Sequence, residues 1–320
     1  MPNNVVVVGT GYWGKNLVRN FYELKALLGI CDINPATLST FKTKYPNTRA
    51  YADFTAVLND SDVKAVVIAT PAASHYALVK ESLESGKDVF VEKPLALKYD
   101  EGKELVALAE SREKILMVGH ILQYHPAIIR MKELITKGEI GKIHYIYSNR
   151  LNLGKIRTEE NILWSFAPHD ISVILHLIGE SPVRISAHGG NYISDNIADI
   201  TVTTLDFPSG TKAHIFVSWL HPYKEQKLVI IGEKMMLFDD MNPDQKLFIY
   251  SHKIDWINGR PLTQAAQAVA VPIEKREPLK AECSHFIDCL ASRTTPKTDG
   301  REGLRVLQVL ETSQNCLKSK

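Results

Sequence analysis

Six residues near the amino terminus constrain the fold more than any other part of the sequence. The stretch GTGYWG at residues 9–14 matches G-x-G-x-x-G, and it follows an apolar run, Val5–Val8, and precedes a helical pattern. Between a strand and a helix, such glycines permit a tight turn, backbone approach to a pyrophosphate and close helix packing. The helix amino terminus adds free N–H groups and partial positive charge. A glycine-rich turn without a ligand is the alternative; the context favours a dinucleotide site formed by Gly9, Gly11, Tyr12, Trp13 and Gly14.

Asp32 follows the second apolar run and bears on the choice of cofactor. It lies about 20 residues after Gly11, where a carboxylate accepts hydrogen bonds from the adenosine ribose and repels a 2′-phosphate. The next residues are Ile33 and Asn34, so no arginine is present to neutralise that phosphate. This arrangement favours NAD over NADP. Asp32 could instead cap the helix predicted to begin near Pro35, or do both.

The first third of the chain alternates apolar β-branched runs with helical patterns. Continuous apolar strands separated by helices are typical of a parallel sheet covered on both faces. We therefore predict an α/β fold that begins with a doubly wound Rossmann domain over residues 1–119. The predicted strands are 5–8, 26–31, 63–69, 88–91 and 115–118, and the helices are 15–25, 35–45, 54–58, 74–85 and 99–110.

From about Lys142 onward, apolar and polar residues alternate, as in strands with one buried face. Residues 200–207 and 211–219 are joined by Pro208-Ser209-Gly210, which predicts a hairpin. Helical patterns cover 163–177, 279–292 and 301–317, whereas 258–278, with its prolines, is predicted to be irregular. We predict a second, α+β domain over residues 120–320, with a large and mostly antiparallel open-faced sheet.

Composition excludes several classes of protein. A chain of 320 residues suggests two domains. The net charge of +2, without a dense basic cluster, argues against a nucleic-acid partner. The four cysteines form no C-x-x-C pair and no histidine group has zinc spacing, so no metal site is predicted. With no long apolar segment and no leader-like amino terminus, we expect a cytoplasmic protein without a membrane partner.

A second motif is more specific than the glycines. Ala69-Thr70-Pro71 is followed by Ser74-His75 and by GKDVFVEKPL at residues 86–95. This pattern resembles the glucose–fructose oxidoreductase / inositol dehydrogenase / MocA (Gfo/Idh/MocA) family, and family-like segments recur at 117–120, 138–142 and 298–300. Within that family, WSFAPHDIS at residues 164–172 is similar to the branch that acts on nucleotide sugars.

The resemblance implies a fold and a set of cofactor contacts. It implies a Rossmann domain followed by an open-faced sheet domain, whose outer face joins copies into a homo-oligomer, a dimer or tetramer. It places Glu92 and Lys93 beside the nicotinamide ribose, often with a cis bond before Pro94. Further residues expected to border the cofactor are Thr70, Pro71 and His75.

The resemblance also makes Lys93 the candidate catalytic base. Removing hydride from a secondary alcohol requires that the hydroxyl proton be removed as well. Lys93 follows an apolar strand at the carboxyl end of the sheet, where ligands bind in such folds. Burial and neighbouring cations lower a lysine pKa from about 10.4, which suits it to proton exchange. The alternative is a surface lysine at a strand end.

His169 occupies the position of the family's catalytic histidine. The ordinary pKa of a histidine lies near neutrality, which suits it to proton exchange. Helical spacing places it on one face with Ser165, Ser172 and His176. Alternatively, Pro168 breaks the helix and His169 caps its continuation. Many family members carry aspartate where this chain has Ser165, so an anionic partner for His169 is missing there. We therefore expect Lys93 to move the proton and His169 to orient the hydroxyl.

Four further residues are candidates for substrate binding. Arg150 and Arg157 lie in the family's substrate-facing region, and arginine binds diphosphate through paired hydrogen bonds. Asp170 neighbours His169, and Tyr124 lies just beyond the domain junction. For each of these, a structural or solvated role is the alternative.

Together these features predict an NAD-dependent oxidoreductase that moves hydride between nicotinamide and a sugar hydroxyl. The favoured substrate is the 3-hydroxyl of a UDP-N-acetylhexosamine or its uronate. The alternatives are a dehydrogenase of a free polyol such as inositol, a glycoside hydrolase that uses NAD transiently, and a non-catalytic sensor of NAD or sugar.

Overall fold

The computed structural model describes residues 4–318, and its first sheet contains six parallel strands. Along the chain these are β1 Val5–Val8, β2 Leu27–Cys31, β3 Arg49–Tyr51, β4 Ala65–Ile68, β5 Asp88–Glu92 and β6 Leu116–Gly119. They lie in the order β3-β2-β1-β4-β5-β6. The order of the strands switches at β1: β2 and β3 follow on one side of it, and β4, β5 and β6 on the other. Open α/β sheets bind ligands at the carboxyl ends of the strands beside such a switch point.

Helices connect these strands and bury both faces of the sheet. They are α1 Gly14–Glu23, α2 Pro35–Lys44, α3 Phe54–Asn59, α4 His75–Glu84 and α5 Tyr99–Ser111. Successive residues of β1 enter different cores: Val5 and Val7 belong to one apolar cluster, Val6 and Val8 to the other. This alternation explains why the strand is apolar throughout, and it confirms the predicted Rossmann architecture.

The second sheet contains eight strands, ordered β16-β13-β12-β11-β7-β10-β9-β8. Strands β7 and β10 run parallel, whereas the other neighbours in this order are antiparallel. The prediction of a mostly antiparallel sheet is therefore confirmed. In chain order the strands are β7 Tyr145–Leu153, β8 Arg184–Gly190, β9 Ile200–Asp206, β10 Lys212–Ser218, β11 Leu220–Ile231, β12 Met235–Asp239, β13 Leu247–Tyr250 and β16 Val269–Ala270.

One face of this sheet packs against a long apolar helix. Two α-helices lie between β6 and β8: α6 Pro126–Thr136, which the sequence analysis did not predict, and α7 Ile162–Ile178. Helix α7 contacts β7, β9 and β10, whose residues alternate between buried and half-buried. The opposite face is therefore partly open. Among residues 4–318, no helix is both long enough and apolar enough to span a membrane.

The division of the chain differs from the predicted boundary after Gly119. Within the described residues, the first compact unit comprises 4–124 and 277–308, and the second comprises 125–276 and 309–318. Helix α8, Pro278–Ser292, therefore belongs with the Rossmann sheet, and the division falls within α9, Gly300–Lys318. The physical reason is aromatic packing: the Phe286 ring centre lies 5.6 Å from that of Phe90 and 6.3 Å from that of Phe21.

The segment 258–278 is not irregular throughout, as the sequence analysis expected. A two-stranded hairpin joins β14, Lys253–Ile257, to β15, Arg260–Gln264. Its turn is Asn258-Gly259, in which both residues have positive φ, +52° and +75°. Asn-Gly is the typical sequence of a two-residue hairpin turn, so the signal was present in the sequence.

Truncation of Phe286 tests whether α8 stabilises the first unit. Phe286 is fully buried, and removing such a ring costs about 3–5 kcal/mol. We expect Phe286→Ala to lower the midpoint of chemical denaturation markedly. The control Tyr192→Ala removes an exposed ring and should change stability by less than about 0.5 kcal/mol. Equal midpoints for Phe286→Ala and the wild type would show that α8 contributes little to this core.

Candidate active site

The glycine loop connects β1 to α1 as the motif requires. Gly9 has a positive φ of +82°, which glycine adopts without strain. A Cβ on Gly14 would lie 1.9 Å from the carbonyl oxygen of Gly9, so only glycine lets α1 start this close to the strand. A Cβ on Gly11 would meet nothing within 4 Å, and Tyr12 is 86% exposed. Backbone at Gly11 is thus open to a pyrophosphate at the amino terminus of α1.

Asp32 is anchored to the same loop at the end of β2. Its Oδ2 accepts hydrogen bonds from the Thr10 backbone N–H at 2.8 Å and the Thr10 hydroxyl at 2.7 Å. Its Oδ1 accepts from the Asn34 N–H at 2.9 Å. Partial burial opposes ionisation, but these bonds hold the Asp32 pKa below its ordinary value. The cap of α2 is Asn34, which accepts from the Ala36 N–H; Asp32 therefore does not cap that helix directly.

His75 links the loop after β4 to the loop after β5. One ring nitrogen lies 2.7 Å from the Pro94 carbonyl oxygen, and the other lies 2.9 Å from that of Thr70. Burial lowers the His75 pKa. The peptide between Lys93 and Pro94 is cis, as the family resemblance implied, and Pro71 is exposed. His75 thereby ties two of the predicted cofactor-bordering segments together.

Contacts from three residues hold the Glu92 carboxylate at the end of β5. Its Oε1 accepts a hydrogen bond from the Trp13 indole N–H at 2.6 Å, and its Oε2 lies 3.3 Å from the Lys93 backbone nitrogen. A Cβ on Gly119, on the neighbouring strand, would approach Oε2 to 3.0 Å. Burial raises the Glu92 pKa to about 7, against the opposing effects of Trp13 and Lys93. This carboxyl therefore changes charge near neutral pH.

Two buried titratable residues near this carboxyl were not predicted as site residues. Within the described chain, neither ring nitrogen of His120 and neither carboxyl oxygen of Glu282 has a hydrogen-bond partner. Burial lowers the His120 pKa to about 3, and the charge of Lys93 acts in the same direction. Burial and the charge of Glu92 raise the Glu282 pKa well above its ordinary value. His120 lies in the quoted family-like segment, but nothing local in the sequence marked Glu282.

Tyr124 makes its contacts inside the first unit. It is buried, its hydroxyl lies 3.2 Å from that of Thr298, and the Lys297 ammonium lies 4.3 Å from its ring centre. The same ammonium donates to the Gln123 carbonyl. These contacts support the structural alternative for Tyr124.

His169 lies within α7, in the second unit, and is half-buried. The helix runs unbroken through Pro168, so the alternative in which His169 caps a new helix is wrong. Ser165 lies one turn before His169 on the same helix and is buried. The polar stripe expected on this helix face is therefore present in a continuous helix.

Two predicted substrate ligands bind each other instead. The Arg150 guanidinium donates from Nε to one Asp170 oxygen at 2.6 Å and from a terminal nitrogen to the other at 3.2 Å. Asp170 also accepts from the Ser148 hydroxyl, and its side chain is 5% exposed. This paired, buried arrangement gives Arg150 and Asp170 a structural role between β7 and α7, which the spacing of the residues did not reveal.

Arg157 lies in the segment between β7 and α7. Its guanidinium is 3.0 Å from Glu160, and its side chain is 41% exposed. An exposed pair of this kind is weak, so Arg157 remains able to exchange its partner for an anion.

Among residues 4–318, no group of three or more His, Cys, Asp or Glu side chains is arranged to hold a metal ion.

Comparison with known families agrees with both units. Residues 3–120 match the model of an oxidoreductase family with an NAD-binding Rossmann fold. Residues 128–238 match the model of the GFO/IDH/MocA C-terminal domain. Together the two matched segments cover most of the chain.

Individual relatives differ in what they act on. The chain is 27% identical to UDP-N-acetylglucosamine 3-dehydrogenase of Acidithiobacillus ferrooxidans over 303 residues, 94% of this chain and 93% of that protein. A solved structure of that enzyme superposes with a TM-score of 0.86 over 100% of this chain and 99% of its own. The chain is also 28% identical to scyllo-inositol 2-dehydrogenase (NAD(+)) of Bacillus subtilis over 251 residues, covering 75% of this chain and 71% of that protein.

Proposed function

The chain belongs to the GFO/IDH/MocA oxidoreductase family, and from this membership we propose that it oxidises the 3-hydroxyl of a UDP-linked N-acetylhexosamine or its uronate with NAD. Family members among its relatives are sugar dehydrogenases, but they differ in substrate. The observation that carries the nucleotide-sugar proposal is 27% identity along nearly the whole length to UDP-N-acetylglucosamine 3-dehydrogenase. The inositol dehydrogenase of Bacillus subtilis matches over a smaller share, and the myo-inositol 2-dehydrogenase of Thermotoga maritima matches over 98% of this chain at a lower identity of 24%.

The residues of the first unit fit a dinucleotide. Gly11 leaves room at the start of α1, and the anchored carboxylate of Asp32 suits ribose hydroxyls. When bound, nicotinamide accepts the hydride. Thr70, Pro71 and His75 border the loop beside the Glu92-Lys93-Pro94 turn, so this edge holds the cofactor in the proposal.

Lys93 accepts the hydroxyl proton in the proposed reaction. It follows β5 at the carboxyl edge of the sheet, and the anionic form of Glu92 beside it stabilises the ammonium that results. His169 holds the substrate hydroxyl, and Ser165 on the same helix face supplies no negative charge to it. Arg157 is the proposed ligand of the diphosphate, since Arg150 is engaged by Asp170.

Replacing Lys93 tests the proposed proton transfer. We expect Lys93→Met to lower kcat about 10²- to 10⁴-fold, because a positioned base contributes that much, while NAD affinity changes little. The assay follows reduced nicotinamide with UDP-N-acetylglucosamine, its uronate and free inositols, and Lys103→Met is the exposed-lysine control. Unchanged kcat in Lys93→Met would remove Lys93 as the base.

The same assay separates the competing functions. Turnover with inositol but with no UDP-sugar would favour the polyol dehydrogenase. Sugar cleavage without net reduced nicotinamide would favour the hydrolase that regenerates its cofactor. NAD binding with no turnover in either the wild type or Lys93→Met would favour the sensor.

Asp32 is the proposed determinant of NAD over NADP. Its carboxylate is held ionised by Thr10 and Asn34, so it repels a 2′-phosphate. We expect Asp32→Ser to weaken NAD binding about tenfold and to narrow the preference over NADP. The exposed control Asp100→Ser should leave both affinities unchanged. An unaltered NAD to NADP ratio in Asp32→Ser would contradict this assignment.

We infer that copies of the chain associate through the open face of the second sheet. A row of half-buried residues crosses four neighbouring strands in register: Phe248, Leu237, Val229 and Tyr147. A continuous apolar row on a sheet face is typical of a surface covered by a partner.

A charge placed in this row tests the association. We expect Val229→Glu to reduce the molar mass measured by light scattering to that of a single chain, because a buried carboxylate would be unpaired. The control Val183→Glu changes a residue that is 71% exposed outside the row and should leave the mass unaltered. A wild-type protein that is already monomeric would contradict the inference.

A further inference from the structure

Trp13 belongs to the glycine motif, yet its side chain is directed to the Glu92-Lys93-Pro94 turn at the end of β5. Its indole N–H donates to Glu92 Oε1 at 2.6 Å, across a separation of 79 residues in the chain. Trp13 is also the residue that precedes α1, and it makes no capping hydrogen bond with its side chain there. Its polar atom therefore serves Glu92.

The Glu92 carboxyl is held from two sides. Trp13 contacts Oε1, while Oε2 lies against the bare backbone of Gly119, where a Cβ would come within 3.0 Å. The space at Gly119 thus fits this carboxyl, and a side chain there would crowd it. A short indole N–H bond to a carboxylate is of the charge-assisted kind, which is stronger than one to a neutral acceptor.

The charges that face Glu92 come from two elements. Lys93 follows it on its own strand and favours the anionic form. Helix α8 presents Glu282 and Cys283, which interact electrostatically with Glu92. Lys297 in turn acts on Glu282, although its ammonium is bonded to the Gln123 carbonyl. Glu282 lacks a hydrogen-bond donor within residues 4–318, so the proton of this acid pair is better held by Glu282 and the negative charge by Glu92.

We propose that Trp13 is a positioning residue, whose indole holds the anionic carboxylate of Glu92 beside Lys93 and so connects the dinucleotide loop to the proposed proton acceptor. This deepens the proposed function and rests on it for the role of Lys93. In the proton transfer, the hydroxyl O–H bond breaks and an N–H bond forms on the Lys93 amine. The anionic form of Glu92, which the Trp13 indole favours, balances the ammonium.

The charge on Glu92 can be tested without turnover. The native Glu92 pKa is raised from 4.5 to about 7. In the pH window between these two values, the folded protein therefore keeps a proton that the unfolded chain has lost. Stability from this group therefore falls as pH rises through the window. Removing the Trp13 donor raises the native pKa further, so the loss of stability extends to higher pH.

The experiment measures melting temperature from about pH 5 to about pH 8 for the protein without added ligand. We expect the destabilisation caused by Trp13→Phe to grow with pH, and the same substitution in a Glu92→Gln background to have an effect independent of pH. Trp164→Phe is the matched control, since the Trp164 indole donates to the neutral amide of Gln314 at 3.0 Å. Its effect should not vary with pH.

Activity supplies a second readout. We expect Trp13→Phe to lower kcat roughly tenfold at neutral pH, with NAD affinity little changed. In the pH profile of kcat, the acidic limb should move to higher pH. In the Glu92→Gln background it should change kcat less than about twofold, because the charge it holds is already absent. Gly119→Ala, which crowds the same carboxyl and leaves Trp13 intact, should move the acidic limb in the same direction.

Two results would overturn the proposal. One is a Trp13→Phe effect on stability that is equal at all pH values or equal in both Glu92 backgrounds, which would make Trp13 a packing residue only. The other is a loss confined to NAD affinity, which would make it a cofactor contact only. Absence of turnover in the wild type would count against the proposed function, while the melting experiment would still decide the role of Trp13.

Discussion

One constraint organises the site of the first unit: the strands of a parallel sheet end at the same edge. Gly9, Asp32, Thr70, Glu92 and His120 each come directly at or after the carboxyl end of a strand, so five separate parts of the chain deliver functional groups to one line. The glycines then let the first helix start close to that edge, with its amino terminus available to an anion. Polar groups gather there because the strands themselves are apolar and buried on both faces.

The environment at this edge gives two carboxylates opposite properties. Asp32 accepts three hydrogen bonds, and these hold its pKa low even though it is partly buried. Glu92 accepts a short bond from Trp13 and a longer one from the Lys93 N–H, but burial outweighs both and raises its pKa to about 7. A permanent anion suits the ribose end of a dinucleotide, whereas a carboxyl with a raised pKa suits a place beside the lysine proposed to accept the proton.

In the second unit, three polar residues of β7 and α7 bind one another: Ser148, Arg150 and Asp170. The Asp170 carboxylate accepts hydrogen bonds from Arg150 and Ser148, which join the strand to the helix, whereas Arg157 has only an exposed ion pair with Glu160. The relatives fit this division: a shared fold supports dehydrogenases of a nucleotide sugar and of inositol. In folds that host many reactions, the side chains of the site and not the scaffold decide the substrate.

The sequence by itself determined the elements whose signals are local. The glycine motif, the apolar runs of the Rossmann strands and helix α7 all follow from short patterns, because backbone sterics and periodicity act over a few residues. Only the tertiary structure decided which partner each side chain meets. The Trp13 indole donates to Glu92 across 79 residues of chain, and the Arg150 guanidinium donates to Asp170. The Phe286 ring packs α8 against the first sheet. Such contacts depend on shape and burial in the folded chain, and no spacing in the sequence encodes them.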